Sequence, residues 1–317
     1  MKFSNVDSVN AFMKEAGLIC GADIPAEIYH ATQAVSHSML KTLRQSPAKL
    51  RWEMDHPRRI TPAMSLGTAI HCALLEPDLF DRTYSVKREK PKEPERPAEL
   101  AEVTRRSADG KAKIDAWEAT WKPKFDRDMA TWEGEREAKQ MLSQDDMDTV
   151  TRVHARTMDD RFFSQFFSSG EKEKSFFVKD EDTGLTLRCR PDNLVQTDSG
   201  LFIVDLKSTD CAQKHAFNSD ITKYAYYTQA AFYLHVVERA IGERPAGFVI
   251  IAVEKGRDCD MQAFYFDREE VELGTRIFKR DLRTFASCVS TNTWPGYERE
   301  FVKYRAPEWL IREGEDI

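Results

Sequence analysis

The sequence predicts an α/β domain, a mixed central β-sheet flanked by helices and carrying a helical insertion. Three observations point there. The first ~85 residues carry apolar residues at helical spacing in short stretches broken by turn residues. Residues 174–267 hold short runs of strand character around one helical stretch. Between them, Lys87 to Gln140 is rich first in proline and charge, and then in a long helical pattern.

In chain order, Ser36-His37-Ser38 supplies caps for a helix over Met39–Leu43, and Ser46-Pro47 stops or restarts it. A helix is predicted from Leu66 to Leu75, ending before Pro77. Lys90-Pro91-Lys92-Glu93-Pro94-Glu95-Arg96-Pro97 reads as linker. Beyond it, Trp117, Trp121, Phe125 and Trp132 fall on one helix face, a stripe that suits core packing or base stacking. Strands are expected at Ser175–Lys179, at Leu185–Arg190 running on past Pro191 to Gln196, and at Leu201–Lys207. Asp220 is placed to cap a helix to about Ala240. Strands at Gly247–Val253 and Met261–Phe266 follow, then a helix from Glu269 to Ser287.

Composition narrows the class. The chain's 317 residues can bury a sizeable core, and 41% apolar with 32% charged residues excludes disordered and fibrous proteins. No apolar run reaches the ~20 residues needed to cross a bilayer, and the N-terminus has no signal-peptide core. Six dispersed cysteines without a CxxC pair fit neither a zinc ribbon nor an iron–sulfur site, and the expected location is the cytoplasm. A net charge of −6 argues against coating nucleic acid through bulk charge but permits a local basic groove. Lys41, Arg44, Lys49, Arg51, Arg58 and Arg59 cluster in sequence, as either a solvated face or such a groove.

The chemistry concentrates in Arg190-Pro191-Asp192 and Asp205-Leu206-Lys207. Strand alternation puts Asp205 and Lys207 on one face and Leu206 on the other. With a turn over Thr197–Gly200, Gln196 pairs with Leu201, and the same register sets Asp192 opposite Asp205. Two carboxylates so close repel unless one is protonated or a cation lies between them. Oxygen ligands of this kind, with the Leu206 backbone carbonyl as a further one, suit Mg²⁺ or Mn²⁺. Lys207 can then hold a water or a phosphate oxygen, and the set suits phosphodiester hydrolysis. The alternative is two ordinary strand-end acids and a salt-bridging lysine.

These residues resemble the signature of the PD-(D/E)xK nuclease superfamily, with its restriction-endonuclease-like core. Further stretches resemble its RecE-like (exodeoxyribonuclease VIII) branch: Val35–Leu40 with Ser46-Pro47-Ala48, Pro62–Pro77, Gln229–Tyr233 and Trp294-Pro295-Gly296-Tyr297. The resemblance runs from Tyr29 to Trp309 outside the insertion. It implies one nuclease domain over 1–317, with an insertion at 87–140 and a catalytic sheet core at 174–290. It implies His71, Asp192 and Asp205 as metal ligands and Lys207 as the catalytic lysine. Gln229 and Tyr233, with Tyr226 on the same helix face and Arg190 nearby, would contact DNA phosphate, although such a stripe also suits packing. Glu173 is a candidate additional acid, with Glu171 its equal. The activity implied is a Mg²⁺-dependent exonuclease digesting double-stranded DNA ends, 5′ to 3′, and leaving single-stranded tails for recombination. A homo-oligomer, a single-strand annealing partner and a bacterial or phage-infected host belong to the same implication, with endonuclease, opposite-polarity or non-catalytic end-binding alternatives.

Overall fold

The computed structural model of the chain describes residues 3–56, 62–308 and 311–312. Arg58 and Arg59 of the basic cluster, and Trp309 at the end of the matched stretch, lie outside the described residues.

Helix α1 (Val6–Ala16) starts on a reciprocal Asn5–Ser8 cap and is followed by strand β1 (Leu18–Ala22). Helices α2 (Ala26–Ala31), α3 (His37–Gln45) and α4 (Pro47–Asp55) come next. Ser36 caps α3, while Ser46 closes it and accepts from Lys49 N to open α4. Arg44 turns inward from α3 to the buried Asp281, 2.8 Å away, so it is not part of a solvated basic face. Helices α5 (Pro62–Leu75) and α6 (Pro77–Thr83) complete the N-terminal quarter. Strand β1 leaves no mark in the sequence pattern, because five residues beside two glycines carry too little alternation to read.

An arm then leaves and returns at one place. Strand β2 (Tyr84–Val86) pairs in parallel with β3 (Gln140–Leu142), and α7 (Ala108–Ala138) brings the chain back. At 1.5 Å per residue, its 31 residues span about 46 Å. The proline-rich outbound segment lies along α7: Trp132 Nε1 donates to the Arg88 carbonyl, and Lys90 and Arg96 sit over the Trp132 and Trp117 rings. The aromatic stripe is therefore half-covered by its own linker, with Trp121 wedged between Trp117 and Phe125 at 5.5 Å from each.

Helices α8 (Gln144–Asp159) and α9 (Gln165–Ser168) lead into strands β4 (Glu171–Lys172), β5 (Ser175–Lys179), β6 (Thr186–Cys189), β7 (Asn193–Thr197) and β8 (Gly200–Thr209). Helices α10 (Lys214–Tyr224) and α11 (Tyr226–Ile241), strands β9 (Gly247–Glu254) and β10 (Met261–Tyr265), and helix α12 (Arg268–Thr291) finish the core. Five strands form a mixed sheet in the order β10-β9-β8-β7-β4, parallel only between β8 and β9; β1-β5-β6 form a separate antiparallel sheet.

Two expectations are corrected. The strand expected from Leu185 to Gln196 is two strands in two sheets: Pro191 has no N–H to continue a ladder, and the chain crosses between sheets there. The helix expected from Asp220 to Ala240 is also two, broken at Ala225, whose φ of 54° is left-handed.

The mixed sheet is apolar on both faces. Ile203, Ile250 and Ala252 pack with Phe232, Val236, Phe278 and Leu282 of α11 and α12, while Val204, Leu206, Ile251 and Val253 pack with Ile70, Leu74 and Val153 of α5 and α8. Helices α11 and α12 approach closely at Gly274, where a Cβ would strike the Tyr227 carbonyl and lie 2.8 Å from the Ala231 Cβ. Gly274→Ala should therefore lose about 1–3 kcal/mol, as overpacked cores do. Thermal unfolding would show a midpoint several degrees lower; an unchanged midpoint would mean the helix pair has slack.

Candidate active site

The register of the β7–β8 hairpin builds the site. Gln196 pairs with Leu201 and Asn193 with Val204, so Asp192, one residue beyond the ladder, comes level with Asp205. The link is direct: Leu206 N donates to Asp192 Oδ2 at 2.6 Å. On β8, Val204 and Leu206 face α5, while Asp205 and Lys207 share the opposite side with Ile203, toward α11.

Both carboxylates are buried, Asp205 at 2% exposure and Asp192 at 9%. Their charges are met from three elements. Lys207 Nζ lies 2.5 Å from Asp205 Oδ2 and forms an ion pair with that buried oxygen. Gln229, from the first turns of α11, donates through Nε2 to Asp205 Oδ1 at 2.7 Å. His71, from α5, places Nε2 2.8 Å from Asp192 Oδ2 and Nδ1 3.6 Å from Glu173 Oε1. Helix α5 reaches this far because Gly67 lets it lie against β8; a Cβ there would be 3.0 Å from Ser208 Oγ.

Glu173 enters the site and Glu171 does not. Glu173 sits between β4 and β5 with φ of 53°, a conformation non-glycine residues seldom adopt, and its N–H donates to the Asp192 carbonyl. Glu171 is exposed beside Gly21. Ligand atoms of His71, Glu173 and Asp192 all lie within 4.8 Å of one another. An imidazole nitrogen and carboxylate oxygens this close suit a divalent cation.

The titrations follow from the crowding. Burial raises the Asp205 carboxyl to about 6, with Asp192 adding to the rise and Lys207 opposing it. Burial and Asp192 together raise Glu173 to about 7. Burial opposes charge on His71, but Asp192, as charge and hydrogen-bond partner, and Glu173 raise it to about 9. Burial also works against the Lys207 ammonium, yet Asp205 and Asp192 outweigh it and raise its pKa. Lys207 therefore stays charged and acts as a hydrogen-bond donor rather than as a base.

The aromatic residues divide. Tyr226, at the start of α11, lies with its ring 5.1 Å from Lys207 Nζ. Tyr233, two turns on, packs edge-on to Phe248 and has its hydroxyl pKa driven up by burial. Arg190 is held by the protein: Nε donates to Ser175 Oγ, Nη2 to the Ile24 carbonyl, and the guanidinium covers the Tyr29 ring at 4.1 Å, while its charge still acts on Glu173. These contacts brace the β1–α2 connection.

Sequence reasoning gives His37 no role, though it lies in a matched motif. Thr228 Oγ1 donates to the Ala225 carbonyl, so its lone pair accepts from His37 Nε2 at 2.8 Å. His37 thus holds the turn that presents Tyr226 and Gln229, and no periodicity reveals a buried partner 191 residues away. Burial, then Arg44, Lys207 and Lys41, lower its pKa to about 3. The unfolded chain takes up this proton near 6.5 and the folded protein does not. The His37 contribution to stability is thus intact above 6.5 and falls by roughly 1.4 kcal/mol per pH unit toward 3. Chemical denaturation at stepped pH should show His37→Gln with a shallower acid loss than wild type; identical slopes would remove His37 as the cause.

Residues 36–304 match the family described as a PDDEXK-like domain of unknown function, DUF3799. The fold is similar to a "putative exonuclease" from Eubacterium rectale, with a TM-score of 0.57 and 14% identity over 93% of this chain and 100% of that one. A likeness to the protein SSO0001, with a TM-score of 0.25 and 9% identity over 36% of this chain and 50% of that one, is too slight to carry an argument. No curated protein matches. Among the described residues, no helix is long and apolar enough to cross a membrane.

Proposed function

The chain belongs to the PDDEXK-like family DUF3799, and from that membership we propose that it is a divalent-metal-dependent nuclease, more narrowly an exonuclease acting on double-stranded DNA ends. The observation that carries the reading is the meeting of Asp192, Asp205 and Lys207 at one strand end, with His71 and Glu173 closing the other side.

Asp192, Asp205, His71 and Glu173 are the residues that would hold the metal, with the Leu206 carbonyl a further oxygen, and Mg²⁺ or Mn²⁺ suits such a set. When bound, a divalent ion supplies a more acidic water and neutralises charge growing on the phosphoryl group. The chain's own part is positioning. Gln229 fixes one Asp205 oxygen and leaves the other turned to Lys207. A charged Lys207 donates to the attacking water or to a non-bridging phosphate oxygen, stabilising the negative charge of the transition state. Tyr226 flanks that ammonium, where its hydroxyl can meet the phosphate next along the strand.

The narrower RecE-like reading rests on the sequence motifs around His37, His71, Gln229 and Trp294. From it come 5′ to 3′ digestion, single-stranded tails for recombination, a homo-oligomer and an annealing partner in a bacterial or phage-infected cytoplasm. An endonuclease on the same core is the second reading, since the site dictates hydrolysis and not how DNA is threaded.

Purified protein incubated with linear and closed circular duplex should consume only the linear DNA, and only with Mg²⁺ or Mn²⁺. Lys207→Ala should lose on the order of 10²–10³-fold in rate, as when a transition-state donor is removed. Cleaved circles would establish the endonuclease; a Lys207→Ala variant as active as wild type would remove the site itself.

A further inference from the structure

A second feature lies beside the site, on the α3–α4 side. A groove of about 1190 Å³ runs between α3, α4, the start of β6, the end of α10 and the segment after α12. Lys41, Lys49, Arg51 and Lys223 line it, as does Arg188, which is buried and tied to the Tyr29 and Thr32 carbonyls, and Glu53 is the one acid among the described lining residues. In a protein of net charge −6, that positive excess is local. Met39, Met54, Leu185 and Val289 give it an apolar floor.

The cations are arranged over rings. Lys41 and Lys223 lie 4.8 and 5.1 Å from the Tyr224 ring centre, and Arg51 lies 6.0 Å from that of Trp294. Arg51 also pairs with Asp55 and Lys49 with Gln45, both at the surface, where such contacts are weak and yield to a phosphate.

One ring pair lies between the groove and the site. Tyr224 ends α10 and Tyr226 begins α11, and the left-handed Ala225 between them sets the two rings 5.7 Å apart. The Tyr226 ring lies 5.1 Å from Lys207 Nζ, while Tyr224 lines the groove. The left-handed conformation of Ala225 thus sets one aromatic ring beside Lys207 and the next at the groove.

We infer that this groove is a track for single-stranded DNA continuous with the strand in the active site, phosphates on Lys41, Lys49, Arg51 and Lys223 and bases toward the apolar floor. A cationic groove with aromatic and apolar walls is what a sequence-independent single-strand site requires. The inference rests on the nuclease reading for its direction of travel, but its test does not need cleavage.

Fluorescence anisotropy in EDTA would measure binding of a labelled oligothymidylate to wild type, to Lys49→Glu/Lys223→Glu and to Lys49→Arg/Lys223→Arg. The glutamate variant should bind at least tenfold more weakly, and its salt slope should shrink by roughly 0.7 for each phosphate no longer neutralised. The arginine variant should bind like wild type, and all three should share one unfolding midpoint. With Mg²⁺, the glutamate variant should lose processivity on long DNA yet hydrolyse a small phosphodiester at the wild-type rate. Equal oligothymidylate binding by wild type and the glutamate variant would overturn the track. So would a change confined to oligomeric state in light scattering, which would give the groove to the exposed aromatic tail of a second copy, around Tyr297, Phe301 and Tyr304. Loss of cleavage in Lys207→Ala with oligothymidylate binding intact would separate the site from the track; an inactive wild type that still binds in the groove would sink only the nuclease reading.

Discussion

Two buried carboxylates meeting at the end of a hairpin are the constraint around which this fold is arranged. Asp192 and Asp205 cannot both stay ionised there without compensation. The backbone offers one hydrogen bond, from Leu206, and the remainder comes from three separate places: Lys207 two residues along β8, Gln229 from α11 and His71 from α5. Each helix therefore has to lie within side-chain reach of the strand end, and the packing permits it. Gly67 admits α5 to the sheet, and Gly274 lets α12 press on α11. The cores on the two sides of the sheet serve this proximity as much as they serve stability.

Much of that is legible from the chain. The Thr197–Gly200 turn fixes a register, and register in a two-residue period decides which side chains meet, so the opposition of Asp192 and Asp205 can be read from residue order alone. Asp205 and Lys207 on one side follow from the same arithmetic. What cannot be read depends on contacts between distant segments. Pro191 marks a break, but not that the chain changes sheets there. Nothing local distinguishes Glu173 from Glu171; the left-handed turn at Glu173 does. Arg190 reads as a phosphate ligand beside Asp192, yet Tyr29 and Ile24, far upstream, engage it.

The aromatic residues show the same limit. A helical stripe of tryptophans reads as core or as a stacking surface, and periodicity cannot reveal that the linker before the helix folds back over it. Tyr226, Gln229 and Tyr233 share a helix face in sequence, but only the break at Ala225 aims the first of them at Lys207 and its neighbour Tyr224 outward.

The β2–β3 pair gives the arm a character of its own. Its two strands enter and leave side by side, within one strand spacing of about 4.8 Å, and Tyr84 and Leu142 anchor them in the core behind the sheet. A segment joined to its host through such a narrow neck can lengthen, shorten or be exchanged during evolution without moving β7, β8 or α11. The catalytic centre and the arm are thus free to diverge at different rates, the one held by charge balance and the other only by what it reaches for.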